Sequence, residues 1–163
     1  MTDRVVSKNK TSISAILKGK VVIVGLGNSL RGDDGVGSAL VKRLRGRIEA
    51  VCIDAESTPE NYLGRIIREK PDTLLFVDAV DLGTSPGDYE LLESSDLTQS
   101  VCSTHDISLR MLVELLRREI DCSIYILCIQ PENLILGETL SKRAEQTLHV
   151  LEGAILHERG KPA

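Results

Sequence analysis

Short apolar runs rich in β-branched residues alternate with segments of helical periodicity along most of the chain. The run Val-Val-Ile-Val at residues 21–24 ends at Gly25 and is typical of a strand buried on both faces of a sheet. Similar runs at residues 50–54, 73–80 and 123–129 predict three further strands. A shorter run at 89–92 follows a Ser-Pro-Gly turn and is expected to lie at the sheet edge.

Four segments have the spacing of amphipathic helices. The first covers residues 34–44, with Asp33 or Asp34 where a helix N-cap is expected. The others are predicted at 57–67, which opens with a capping box, and at 107–118 and 140–155. Alternating strands and helices predict a three-layer α/β/α sandwich, in which a mostly parallel five-stranded sheet carries helices on both faces.

The chain length of 163 residues is sufficient for one domain with its own core. We expect residues 21–157 to form this domain and residues 158–163 to be a frayed tail. Residues 1–20 are interpreted as an appendage with a short amphipathic helix through Ile13, Ile16 and Leu17. Their apolar runs are too short for a signal peptide or a membrane span, which favours a cytoplasmic protein without a membrane partner.

Charge and composition narrow the classes of partner. The net charge is −4 and aromatic residues make up only 2% of the chain. A protein with these properties lacks both the positive field and the stacking surfaces that bind nucleic acids, so nucleic acid is not expected as a partner.

The four cysteines form no C-x-x-C pair, and three of them lie in or beside predicted strands. Reduced intracellular thiols are therefore expected. Cys102 and His105 have the spacing C-x-x-H, but no second pair of ligands accompanies them, which disfavours a zinc knuckle.

Candidate functional residues follow the strands, because ligands of open α/β sheets bind beyond the carboxyl ends of the strands. A glycine-rich segment, residues 25–37, leaves the first strand with Asp33 and Asp34 in it. It lacks the glycine spacing of a dinucleotide site and the Gly-Lys-Ser/Thr of a P-loop. Asp78 ends the third strand run, and His105 precedes the next helix.

Two carboxylates and one imidazole at one sheet edge would make an incomplete metal site with open positions, suited to zinc, nickel, iron or manganese. Each residue also has a structural interpretation. Asp33 or Asp34 could cap a helix, Asp78 could be a polar strand end, and His105 could be an ordinary loop histidine.

Six motifs occur in order over roughly residues 21–155. They are Gly25 to Gly37, Ile53-Asp54-Ala55-Glu56-Ser57-Thr58-Pro59-Glu60-Asn61, Phe76-Val77-Asp78-Ala79, Pro86-Gly87, Ser103-Thr104-His105 and Ile129-Gln130-Pro131-Glu132. In these motifs the chain resembles the hydrogenase maturation endopeptidase family. The resemblance implies an endopeptidase that removes the C-terminal extension from the large-subunit precursor of a nickel-iron hydrogenase after nickel insertion.

The family resemblance also implies roles for individual residues. Asp34, Asp78 and His105 would be the catalytic, nickel-recognising residues, although many relatives have glutamate where Asp34 stands. The nickel is carried by the precursor, and the free protein, expected to be a monomer, would bind divalent metal only weakly. The segment with Gly27, Asn28, Gly32 and Gly35 would bind substrate by letting its backbone approach the precursor tail.

The sequence has no G-x-S-x-G elbow and no H-E-x-x-H motif, so attack by water is favoured over attack by a side chain. Either the metal polarises the scissile carbonyl, or a carboxylate acts as general base. Two alternatives stay open. One is a peptidyl-tRNA-hydrolase-like esterase, because that family also opens with Gly-Leu-Gly-Asn, and the other is a non-enzymatic nucleotide-binding module.

Overall fold

A single five-stranded sheet organises the chain in the computed structural model, which describes residues 11–97 and 106–162 and, of residues 106–108, only the backbone. The strand order is β2-β1-β3-β5-β4, and only β4 runs antiparallel to its neighbour. The strands are β1 (Val21–Leu26), β2 (Val51–Glu56), β3 (Thr73–Ala79), β4 (Tyr89–Glu93) and β5 (Ser123–Ile129). The predicted mostly parallel sheet with β4 at its edge is confirmed.

Helices cover both faces of the sheet, which confirms the three-layer sandwich. They are α1 (Ile13–Ile16), α2 (Val36–Leu44), α3 (Leu63–Glu69), α4 (Asp106–Glu119) and α5 (Lys142–Arg159). Helices α1, α2 and α5 pack on one face, and α3 and α4 pack on the other. Among the helices of the described ranges, none is both long and apolar enough to cross a membrane.

The side-chain alternation of β3 divides the interior into two cores. Leu75 and Val77 contribute to the core under α2 and α5, whereas Leu74 and Phe76 contribute to the core under α3 and α4. Successive side chains of a strand point to opposite faces, so a strand buried on both faces must be apolar at nearly every position. Burial of all seven residues of β3 therefore explains its almost unbroken apolar sequence.

The first two predicted helix starts differ from the observed ones. A 3-10 helix, Gly32–Gly35, precedes α2, and another, Pro59–Tyr62, precedes α3. The capping box predicted for Ser57 to Glu60 is wrong, because the N-cap residue is Thr58, one position after Ser57, and its side chain makes no cap hydrogen bond. The short hydrogen-bonding reach of a 3-10 turn lets each loop bend sharply before the helix begins.

Residues outside the predicted domain limits pack against it. Ile16 and Leu17 are buried in the core under α2 and α5, and Thr73 Oγ1 donates to the carbonyl oxygen of Lys18 at 2.9 Å. At the other end α5 continues to Arg159, and the Lys161 backbone N–H donates to the carbonyl oxygen of Arg47 at 3.0 Å. Residues 16–18 and 161 thus contact the predicted domain, and its limits at residues 21 and 157 stay a prediction.

Candidate active site

Two loops meet at the carboxyl edge of the sheet. We call residues 27–35 the β1–α2 loop and residues 130–141 the β5–α5 connection. Arg31 and Leu136 form an antiparallel bridge, and the Gly137 N–H donates to the Leu30 carbonyl oxygen at 2.8 Å. Further backbone bonds join Gly32 N–H to Glu138 at 3.0 Å and Asp33 N–H to Asn133 at 3.0 Å. The position of each loop therefore depends on the other.

Asp34 lies in the 3-10 helix of the β1–α2 loop and is only 6% exposed. Its Oδ2 accepts a hydrogen bond from the Asn28 backbone N–H at 2.9 Å, and Asn28 Oδ1 accepts from the Leu30 N–H at 2.9 Å. These bonds fix the carboxylate relative to the end of β1. The expectation that Asp33 or Asp34 caps α2 is wrong, because the N-cap residue of that helix is Gly35.

Asp33 is fully buried and holds the β5–α5 connection. Its carboxylate accepts from the Glu132 N–H at 2.8 Å, the Ser141 N–H at 2.7 Å and the Ser141 Oγ at 2.7 Å. Ser141 is in turn the N-cap of α5 and accepts from the Ala144 N–H at 3.1 Å. Three donors compensate the loss of hydration of a buried carboxylate. The partners of Asp33 lie about a hundred residues later, and no local sequence signal indicated them.

Asp78 is fully buried at the next-to-last position of β3, opposite Cys128 of β5 in the strand register. By strand alternation its side chain lies on the same sheet face as Phe76, the face covered by α3 and α4. Buried carboxylates are uncommon in protein interiors and concentrate at functional sites. The polar end of an otherwise apolar strand was the signal that singled out Asp78 in the sequence.

The elements that carry Asp34 and Asp78 are in direct contact. The Gly32–Gly35 turn contacts β3, and a Cβ placed on Gly37 would overlap the carbonyl oxygen of Val77, the neighbour of Asp78. Only glycine allows α2 to approach the sheet this closely. The turn that carries Asp34 and the strand that carries Asp78 thus lie side by side, and the convergence of the two carboxylates on one crevice stays a prediction.

The glycines of the β1–α2 loop are required by contacts within the chain. Gly27 has φ +108°, and a Cβ there would overlap the carbonyl oxygen of Asp34. A Cβ on Gly32 would overlap Asn133, and one on Gly35 would lie 2.9 Å from the Cα of Ser29. These contacts explain the residue type, and the predicted role of Gly27, Asn28, Gly32 and Gly35 in substrate binding stays a prediction.

Comparison with known proteins assigns the family. The family described as HycI, hydrogenase maturation protease, matches residues 36–158, a range that includes Asp78 and starts just after Asp34. This chain belongs to the hydrogenase maturation protease family. The hydrogenase 3 maturation protease of Escherichia coli K12 is 34% identical over 114 residues, which cover 68% of this chain and 72% of that protein. The predicted family membership and the hydrolase class are confirmed.

Solved structures of the hydrogenase maturation protease family share the architecture. The HycI protease of Thermococcus kodakarensis has a TM-score of 0.76 and 27% identity, with 87% of this chain and 97% of that chain covered. HybD of Escherichia coli has a TM-score of 0.73 at 21% identity, with 85% of this chain and 91% of that chain covered. This match supports the fold. Neither the esterase nor the nucleotide-binding alternative is favoured by these matches.

The third predicted site residue of the protease, His105, lies outside the described residues, as does Cys102. Helix α4 begins at Asp106, directly after His105 in the sequence, and covers the sheet face on which Asp78 lies. Within residues 11–97 and 106–162, no three His, Cys, Asp or Glu side chains lie close enough together to hold a metal ion. Two of the three predicted ligands are therefore located, and the set of three stays a prediction.

Cys52 and Cys122 are free cysteines. Burial raises the pKa of Cys52, and burial together with the negative charges of Asp121 and Asp72 raises the pKa of Cys122 to about 11. The nucleophilic form of cysteine is the thiolate. A raised pKa keeps both thiols protonated at neutral pH, which argues against either as a protease nucleophile.

Proposed function

We propose that this protease removes the C-terminal extension from the large-subunit precursor of a nickel-iron hydrogenase once nickel is inserted. Asp34, Asp78 and His105 recognise the nickel that the precursor carries. The observation that carries the proposal is the pair of buried carboxylates in the fold of this family, one in the loop after β1 and one at the end of β3. Membership in the hydrogenase maturation protease family supports the choice of substrate.

The chemistry of the three side chains suits nickel as part of the substrate. Carboxylate oxygen and imidazole nitrogen are both ligands of borderline divalent metals. Three protein ligands would leave positions open for the groups by which the precursor holds its metal. The bond from Asn28 N–H to Asp34 Oδ2 restrains one of these carboxylates before substrate arrives, which reduces the entropy lost on binding.

Hydrolysis in this proposal uses water as the nucleophile. The bound nickel positions the scissile peptide, and either the metal polarises its carbonyl or one carboxylate takes the proton of the attacking water. The protonated state of Cys52 and Cys122 supports water over a thiolate. Gly27, Asn28, Gly32 and Gly35 present backbone to the precursor tail as it crosses the β1–α2 loop.

The proposal also covers the cellular setting. The enzyme works in the cytoplasm as a monomer whose protein partner is the precursor. The free thiols of Cys52 and Cys122 support a reducing compartment.

A comparison of two precursor samples tests the function. The purified chain is incubated with nickel-loaded and with nickel-free precursor, and the mass of the large subunit is followed with time. We expect shortening of the loaded precursor only. Cleavage of the nickel-free sample at the same rate would contradict recognition of nickel, and an intact loaded precursor would contradict the proposed function.

The free protease provides a second test. Calorimetry should show weak binding of Ni²⁺ to the wild-type protein and none to Asp34→Ala, because one of three ligands is then missing. Tight binding by the free protein, unchanged in the variant, would place the metal site elsewhere.

A further inference from the structure

Three large aliphatic side chains are exposed on the two loops that meet at the carboxyl edge of the sheet. Leu30 of the β1–α2 loop is 67% exposed, and Ile135 and Leu136 of the β5–α5 connection are 59% and 71% exposed. Single exposed aliphatic residues are common on protein surfaces, but a group of them at one place indicates a binding surface.

Backbone pairing brings the three residues close together where the two loops meet. The Gly137 N–H donates to the Leu30 carbonyl oxygen, and Arg31 bridges to Leu136. Ile135 is also restrained, because its N–H lies 3.3 Å from Asn133 Oδ1 and its carbonyl oxygen accepts from the Glu138 N–H at 3.2 Å. A surface whose backbone is ordered before binding loses little conformational entropy when a partner arrives.

The β1–α2 loop also carries Asp34 of the candidate active site. Leu30 stands four residues before Asp34, so their Cα atoms are at most about 14 Å apart, which is the reach of a short stretch of extended chain. The carboxylate of Asp33 joins the loops a second time through Glu132 and Ser141. A peptide whose scissile bond lies beside Asp34 can therefore contact Leu30 through peptide residues within about four positions of that bond.

We propose that Leu30, Ile135 and Leu136 form a docking surface for a short apolar segment of the precursor that flanks the scissile bond. This inference rests on the proposed function, because the precursor is taken as the substrate. Charged residues close to these three in the sequence, Arg31 and Glu138, are also exposed. An apolar centre with a charged rim is the usual composition of a protein-binding surface.

Kinetics on nickel-loaded precursor test the docking surface. Leu30→Ser and Leu136→Ser should each raise the KM for precursor about tenfold, which is the effect of no longer burying a leucine side chain. The kcat at saturating precursor should stay at the wild-type value. Leu30→Met, which retains an apolar side chain of similar volume, should keep the wild-type KM.

Val150→Ser is the matched control, because Val150 is 58% exposed on α5 and belongs to neither loop. Its KM and kcat should equal those of the wild type. Circular dichroism and the thermal midpoint of each variant confirm that the fold is retained, as expected for substitutions of exposed side chains.

The outcomes separate the docking surface from the function. Wild-type protein that leaves loaded precursor intact contradicts the proposed function itself. Wild-type cleavage with unchanged KM in both serine variants overturns the docking surface alone, as does a lower kcat at unchanged KM. If sedimentation shows a wild-type dimer that Leu30→Ser converts to monomer, the surface binds a second copy of the chain and the proposal is overturned.

Discussion

Asp33 and Asp34 are adjacent in the chain, yet their carboxylates have different surroundings. Asp33 is fully buried and accepts three hydrogen bonds from the β5–α5 connection. Asp34 accepts a hydrogen bond from the Asn28 backbone N–H within its own loop. The first residue therefore holds the loops together, and the second is the candidate ligand.

Replacement of the proposed ligands should abolish processing without unfolding the protein. Asp34→Ala, Asp78→Ala and His105→Ala should each lower the rate of precursor cleavage by on the order of hundredfold or more, because each removes one group of the reaction site. The large-subunit mass gives the rate, and circular dichroism with thermal melting gives the fold. Wild-type rates in all three folded variants would contradict the site assignment, and unfolding would favour a purely structural role.

Asp33→Ala should act mainly on stability. The substitution leaves the Glu132 N–H, the Ser141 N–H and the Ser141 hydroxyl without their acceptor, which costs about 3 kcal/mol of unfolding free energy for a buried network of this kind. Urea unfolding measures the loss, and Asp96→Ala, at an exposed carboxylate, is the control. A stability equal to that of the wild type would show that these three bonds contribute nothing.

At a temperature where Asp33→Ala is folded, we expect a smaller loss of precursor processing than for Asp34→Ala.

At the scale of secondary-structure elements, the Gly27 turn joins β1 to the candidate site. Its φ of +108° and the closeness of the Asp34 carbonyl oxygen exclude a side chain. Gly153 lies within α5, and a Cβ there would meet no atom within 4 Å. The two glycines are thus a matched pair, one required by tertiary contacts and one without such a requirement.

Alanine substitutions at these two glycines should change the free energy of unfolding in opposite directions. Gly27→Ala should cost at least about 2 kcal/mol through backbone strain and overlap. Gly153→Ala should increase stability by about 0.5–1 kcal/mol, because alanine loses less backbone entropy in a helix. Chemical unfolding of both variants measures the difference. A Gly27→Ala protein as stable as the wild type would contradict the close contact between the turn and Asp34.

At the scale of the whole molecule, the Cys122 thiol links stability to alkaline pH. Its pKa is about 11 in the folded protein, against an ordinary value of 9.0. Below pH 9 the thiol is protonated in both states, so its contribution is constant. Between pH 9 and about 11 the unfolded state ionises first, and stability falls as pH rises.

The substitution Cys122→Ala should remove the contribution of this thiol to the loss of stability at alkaline pH. The urea midpoint of the wild type should fall more steeply above pH 9 than that of the variant, while the two curves should run parallel below pH 9. The comparison cancels the titration of lysines and tyrosines, which is common to both proteins. Parallel curves over the whole range would contradict the raised pKa, and loss of processing in this variant would contradict the dispensability of the thiol.

The sequence by itself determined the elements and the layers of this protein. Buried strands and amphipathic helices have local periods of side-chain polarity, and a window of a few residues is enough to detect them. Strand β5 was predicted at the residues where it occurs, 123–129. Local reasoning also singled out Asp78 at the end of an apolar run and the acidic pair in the loop after β1, whereas the choice of Asp34 over Asp33 came from the family resemblance.

Only the tertiary structure decided how the two loops at that edge are held together. The hydrogen bonds of Asp33 reach residues 99 and 108 positions away, and no local pattern encodes a partner at that distance. The burial of Ile16 and Leu17 and the 3-10 turn at Gly32–Gly35 likewise arise from packing against distant elements. Local preference selects a helix or a strand, whereas the pairing of loops depends on contacts that exist only once the chain has folded.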